Sequence, residues 1–246
     1  MAEIITIKTP DNILLDGLWL GPPKPEKIYV YIHGLSSSVF SGLELLNLLI
    51  DRKTAVLTFN NRGHDKVTRV RKIDKKSAKG YQSLRAGGAH EKFTDCVYDI
   101  EGAIGLARKS GAKQILLLGH STGCQKIAYY LASRPQPRLV KGGILLSPIS
   151  DYAAISHIYD KKTLNKVVTR AKKMVRERRG HEILPLDIWS GYDDAQRWLS
   201  LYTPHSAEEI FTYSQPRKRP VTFRKVNHSL LIVWAQADEF QDRPTS

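Results

Sequence analysis

The sequence predicts an α/β fold, a mostly parallel central sheet with helices on both faces, and three observations carry that prediction. Short apolar runs at 28–32, 55–59, 115–118, 143–146 and 230–234 alternate with stretches of helical periodicity. Strands buried on both faces read as continuous apolar runs, and alternation with helices implies parallel pairing. The 246 residues, 41% of them apolar, suit one large domain with a substantial core.

Taken in order, residues 4–9 and 13–19 alternate around Pro10-Asp11-Asn12 as the two arms of a hairpin, which would add antiparallel edge strands. The run at 28–32 ends on His33-Gly34. Residues 43–50 suit a helix. Phe93, Cys96, Val97, Ile100, Ile104 and Ala107 recur at helical spacing over 92–109, and Gly111 stops that helix. Residues 125–133 read as a further helix, ended before Pro135.

Two stretches interrupt the pattern. Residues 66–79 form a basic insertion containing Arg69, Arg71, Lys72, Lys75 and Lys76. Residues 151–227 read as a helical cap inserted into a single domain whose core is 1–150 and 228–246. Within the cap, Leu164, Val167, Val168, Ala171, Met174 and Val175 share one helical face, opposite Lys166, Arg170, Lys173 and Arg176. Trp189, Trp198, Tyr152, Tyr159 and Tyr192 suggest a partly apolar pocket roof, and equally suit packing within the cap itself.

The formal net charge of +14 is compatible with attraction to anions, but net charge speaks to solubility and steering rather than fold. The basic runs lack interleaved aromatics for base stacking, so no nucleic-acid partner is expected. Two cysteines, Cys96 and Cys124, make no disulfide framework and point to a reducing cytoplasm. Neither a secretory leader nor an apolar run of membrane-spanning length is visible. No metal-ligand spacing, phosphate loop or dinucleotide fingerprint occurs, so no cofactor or metal is expected.

The strongest local signal is Leu118-Gly119-His120-Ser121-Thr122-Gly123-Cys124, a Gly-x-Ser-x-Gly motif between a strand and a helix. A turn that tight strains the serine backbone, and Gly119 and Gly123 relieve collisions on either side. It lifts the Ser121 hydroxyl to a helix N-terminus, where free N–H groups and the helix dipole favour negative charge. Acyl transfer needs donors for a tetrahedral oxyanion. Thr122 N–H, after the nucleophile, is one. Leu35 N–H, in the loop after His33-Gly34, is the other. His33 is read as structural, its ring holding that loop.

His33-Gly34, Asn60-Asn61-Arg62-Gly63-His64-Asp65, Gly119 to Gly123, Leu145-Leu146-Ser147-Pro148 and Ile232 to Asp238 resemble, in order, the landmarks of the α/β-hydrolase superfamily. The elbow Gly-His-Ser-Thr-Gly-Cys-Gln is similar to that of a fungal family that includes siderophore esterases. The resemblance gives His64 and Asp65 a structural role and places the triad acid at Asp238, with Asp151 in reserve. It also implies a histidine base beyond Asp238. No histidine follows Asp238 in this sequence, so the expectation is a chain truncated before its catalytic histidine, final strand and final helix.

The function expected is therefore a serine hydrolase of carboxylic ester-type small molecules acting through an acyl-enzyme on Ser121. Amidase, thioesterase or acyltransferase chemistry on the same nucleophile stays open, as does a catalytically inactive protein binding an anionic partner.

Overall fold

The computed structural model describes residues 2–215 and 217–235. Its nine strands form one mixed sheet: β1 (Ala2–Lys8), β2 (Ile13–Leu20), β3 (Lys27–Ile32), β4 (Thr54–Phe59), β5 (Thr68–Ile73), β6 (Tyr81–Ala86), β7 (Gln114–His120), β8 (Val140–Leu146) and β9 (Ser229–Val233). The order is β6-β5-β2-β4-β3-β7-β8-β9, with β1 paired to β2. The pairs β4–β3, β3–β7, β7–β8 and β8–β9 are parallel. The remaining pairs, β1–β2, β2–β4, β2–β5 and β5–β6, are antiparallel.

Among the described residues six α-helices accompany the sheet: α1 (Leu43–Leu48), α2 (Cys96–Lys109), α3 (Thr122–Ser133), α4 (Asp151–Ile158), α5 (Lys161–Arg176) and α6 (Ala195–Tyr202). Alternation along the central strands sends side chains to two separate cores. Ile28, Val30, Ile32, Leu57 and Leu117 pack with Ile100 and Ile104 of α2 and Ile127 and Leu131 of α3. Tyr31, Val56 and Leu118 point the other way, against Leu46 of α1. Both faces of the central strands are therefore covered by helices, whereas Leu231, Ile232 and Val233 of the edge strand β9 are exposed.

The antiparallel part extends further than the opening hairpin. The basic stretch after β4 is ordered as β5 and β6, a hairpin registered from Thr68↔Ala86 to Ile73↔Tyr81. Arg69, Arg71 and Lys72 sit on β5, while Lys75 and Lys76 lie in the turn that joins it to β6. Arg69 donates to Ser83 across the hairpin, and Arg71 pairs with Asp16 of β2 at 2.6 Å.

Between β8 and β9 the chain is helical. Ser150, Asp160 and Asp194 accept the first free N–H groups of α4, α5 and α6. Val167, Ala171 and Met174 of α5 are buried against Trp189 and Trp198. Those two indoles, with Tyr159 and Tyr202, form a ring cluster with centroids 5.1–6.0 Å apart. They are the core of this segment and not a pocket roof; of the aromatics proposed for a roof, Tyr192 is the exposed one.

The buried stripe of α5 sets a stability test. Met174→Ala should cost about 2–5 kcal/mol in urea denaturation, the usual range for emptying a core position. Lys166→Ala, on the exposed face, should stay within about 0.5 kcal/mol of the parent.

Candidate active site

The strand β7 runs into α3 through a single residue, Ser121, at φ 53° and ψ −123°. Few L-residues adopt that backbone, which costs on the order of 1–3 kcal/mol and persists only where surroundings impose it. Here the imposing contacts are backbone against backbone. A Cβ on Gly123 would overlap the Ile32 carbonyl oxygen at the end of β3. One on Gly119 would lie 2.8 Å from the Gly123 carbonyl group. Ser121 N–H donates to Leu146 O of β8 at 3.0 Å, and Cys124 N–H donates to Ser121 O at 2.9 Å. The Cys124 thiol is buried 3.3 Å from both Gly119 O and Leu146 O, and burial pushes its pKa up, so it serves as a neutral brace.

The loop after β3 lies beside this turn. A Cβ on Gly34 would stand 3.2 Å from Ser121 Cβ and 3.7 Å from Ser121 Oγ, so the loop backbone flanks the hydroxyl. Leu35 follows directly, and its N–H has no hydrogen-bond partner among the described residues. Thr122 opens α3, where helical geometry leaves the first N–H groups unpaired. Ser121, Thr122, Gly119, Gly123 and the Gly34–Leu35 peptide thus meet at one place, the carboxyl end of the parallel strands. Ligands of open α/β sheets bind at that edge.

The acids fall differently. β9 ends at Val233, paired with Leu146 at the same edge as Ser121; Asp238 follows but lies outside the described residues. Asp151 is buried at the start of α4, where Gln125 of α3 donates to it at 3.2 Å. Burial, with help from Glu208 and Glu209 nearby, raises its pKa to about 7, against weaker opposition from Gln125 and Arg197.

The histidines are largely committed elsewhere. His33 is fully buried, with Nδ1 2.8 Å from Gly34 O and Nε2 accepting from Asn61 N–H at 3.3 Å. His64 Nδ1 lies 2.8 Å from Asn61 O, and its Nε2 lies 3.2 Å from Thr68 Oγ1. His90 and His181 both face Asp194. His228 precedes Ser229, which pairs with Gly142, so it stands at the opposite end of the sheet from the elbow.

Beneath the elbow lies a set of buried charges that the motif reading did not single out. Lys126, on the second turn of α3, meets Glu91 at 2.6 Å and donates to Asn61 Oδ1 at 3.1 Å. Arg197 of α6 reaches Glu91 at 3.2 Å and Glu208 at 2.6 Å, and donates to Gly88 O. Burial alone would raise the Glu91 carboxyl, but the Lys126 and Arg197 charges outweigh it and hold the pKa low. Gly63 leaves room for this: a Cβ there would overlap the Glu91 carboxylate. Next to it, Arg62 spans Asp99 at 2.7 Å and Asp11 at 3.1 Å, tying β4's outgoing loop to α2 and to the first hairpin.

A cleft of about 370 Å³ opens between Phe93 and His205, but neither the elbow nor the Gly34 loop lines it. Among the described residues no group of three or more His, Cys, Asp or Glu side chains is placed to hold a metal ion. No helix among them is long and apolar enough to cross a membrane.

Comparison with solved structures gives the same fold. The siderophore hydrolase EstB from Aspergillus fumigatus superposes with a TM-score of 0.59 at 18% identity, covering 94% of this chain and 77% of that one. A structure of DcsB in complex with its substrate analogue gives 0.59 at 14% identity over 97% and 90% of the two chains. The α/β hydrolase GrgF from Penicillium sp. sh18 gives 0.54 at 14% identity over 92% and 72%. The fold is that of the α/β hydrolases. In sequence, a UPF0613 protein of Schizosaccharomyces pombe is 32% identical over 74 residues, which is 30% of this chain and only 23% of that relative's length. A family model described as "Protein of unknown function (DUF1749)" matches residues 77–245.

Two substitutions test the site's construction. Gly123→Ala should destabilise by about 3 kcal/mol or more in urea denaturation, because the added methyl meets backbone that cannot swing aside. Asp151→Asn tests the raised acid. A carboxyl whose pKa rises on folding stabilises fully below its unfolded pKa, near 4. That contribution is lost as pH climbs through about 7. The Asn variant should therefore match the parent near pH 4 and exceed it at pH 8, by up to about 4 kcal/mol, in calorimetric melts.

Proposed function

The chain belongs to the DUF1749 family and has the α/β-hydrolase fold, and from that premise we propose that it is a serine hydrolase of carboxylic ester-type small molecules, working through an acyl-enzyme on Ser121. One observation carries the reading. The only residue between β7 and α3 is a serine held at φ 53°, with its hydroxyl beside the Gly34–Leu35 peptide.

In this mechanism Ser121 Oγ bonds to the acyl carbon while its proton passes to a general base, with Asp238 as the acid that orients it. The carbonyl oxygen becomes an oxyanion, and the N–H groups of Leu35 and Thr122 donate to it. Removing one such donor from an acyl-transfer site typically costs 10²–10³ in rate. Collapse of the tetrahedral intermediate expels the alcohol, which takes up the proton. Water then attacks the ester carbon of the acyl-enzyme and frees the acid and Ser121. Residues 151–227 are the cap that selects the substrate.

An amide, a thioester or an acyl acceptor other than water would use the same nucleophile and donors, so the acyl substrate is assigned as an ester on fold-level likeness. A purely anion-binding role fits less well. Arg69 and Arg71 of the basic hairpin are engaged with Ser83 and Asp16.

The test is covalent labelling. A fluorophosphonate probe should modify Ser121, identified by peptide mass spectrometry, and Ser121→Ala should abolish the label. Its rate should rise with pH as the base loses its proton. A folded wild-type protein that takes up no probe at Ser121 would overturn the assignment.

A further inference from the structure

We propose that Lys126 is a positioning residue for the oxyanion donors: its buried ammonium fixes Asn61, Asn61 fixes the His33 ring, and the ring fixes the plane of the Gly34–Leu35 peptide. The proposal rests on the acyl-enzyme reading for its catalytic consequence, and on geometry alone for the chain of contacts.

Each link is a hydrogen bond between buried groups. Lys126 Nζ donates to Asn61 Oδ1 at 3.1 Å, and that same oxygen accepts Gly63 N–H at 3.0 Å, which closes the turn after β4. The turn then presents Asn61 N–H to His33 Nε2 at 3.3 Å. An imidazole that accepts at Nε2 must carry its proton on Nδ1. Nδ1–H donates to Gly34 O at 2.8 Å. Gly34 C=O and Leu35 N–H belong to one planar trans peptide and point in opposite directions. A ring that captures the carbonyl therefore turns the N–H away from itself. A protonated His33 would have no lone pair for Asn61, and burial, reinforced by the Lys126 charge, keeps it neutral with a pKa of about 3.

The ammonium is not needed to fill the core. Buried ion pairs replaced as a pair by neutral side chains of similar volume often leave stability unchanged or improved. What an apolar residue would lose is the directed bond to Asn61. Lys126 also sits on the helix that begins with Thr122. One oxyanion donor is thus part of α3, and the other is referenced to α3 through Lys126, Asn61 and His33.

The experiment compares the wild-type protein with Lys126→Met/Glu91→Gln, which removes both charges and leaves no lone buried ion, and with Asn61→Ala, which keeps the Lys126–Glu91 pair. Folding is checked by thermal melts. Fluorophosphonate labelling at Ser121 should slow at least tenfold in each variant. Nitrogen NMR of the His33 ring should show a single Nδ1–H tautomer in the wild type and a mixture in the variants. If the double variant does not fold, Asn61→Ala decides. Folded variants that label within twofold of the parent and keep the single tautomer would overturn the proposal. If the wild type itself does not label, the acyl-enzyme reading fails, and the tautomer shift still decides the contact chain.

Discussion

The close approach of α3 to the end of β3 is the constraint on which the rest of the structure depends. No side chain separates Gly123 from the Ile32 carbonyl. With the helix start pressed onto that strand, the connecting residue has no room for an ordinary backbone, and Ser121 takes φ 53°. The same contact draws the loop at Gly34 alongside the serine, and carries Lys126 inward until it reaches Glu91 and Asn61. Strain at one residue is repaid by hydrogen bonds to β8 and by packing of Ile127 and Leu131 against the sheet.

The interior beneath this contact is unusually rich in charge. Lys126, Arg197, Glu91 and Glu208 alternate in sign along a continuous run from α3 to α6. Each ion loses several kcal/mol of hydration on burial, so such a run persists only with close partners on both sides. It gives the elements before β7 and after β8 a common register that apolar packing, which tolerates sliding, would not specify. Asp151 and Glu209 lie at the end of the run where positive charge gives out, and burial raises both carboxyls.

The elbow was legible in the sequence because its cause is local: two glycines, a serine and the strand and helix on either side are contiguous. The turn at His33-Gly34 was legible as the end of an apolar strand. The hairpin β5–β6 was obscured by its arginines and lysines, although Thr68, Val70 and Lys72 do alternate with Arg69 and Arg71 as a strand requires. The charged run was not legible. Its partners lie between 11 and 106 positions apart in the chain, and nothing near Lys126 in sequence marks it as buried rather than exposed. Gly63 was the nearest thing to a signal, since a glycine beside Asn61 and Arg62 marks a place where something must come close. Trp189 and Trp198 read equally well as lining and as core, and only their mutual packing decides for core.

Strand β9 joins the sheet against β8 from nearly ninety residues further along the chain, and Gly142 is shaped to that pairing, for a Cβ there would overlap Ser229 O. Closing so long a loop is entropically slow compared with the neighbouring contacts among β3, β4 and β7. During synthesis on the ribosome, the edge of β8 must therefore wait, hydrogen-bonding groups open, while the whole α4–α6 segment is made. Leu230, which packs into the larger core from β9, cannot arrive earlier. Until β9 pairs, the β8 edge keeps its hydrogen-bonding groups open, and an open strand edge is the kind of surface through which folding chains aggregate.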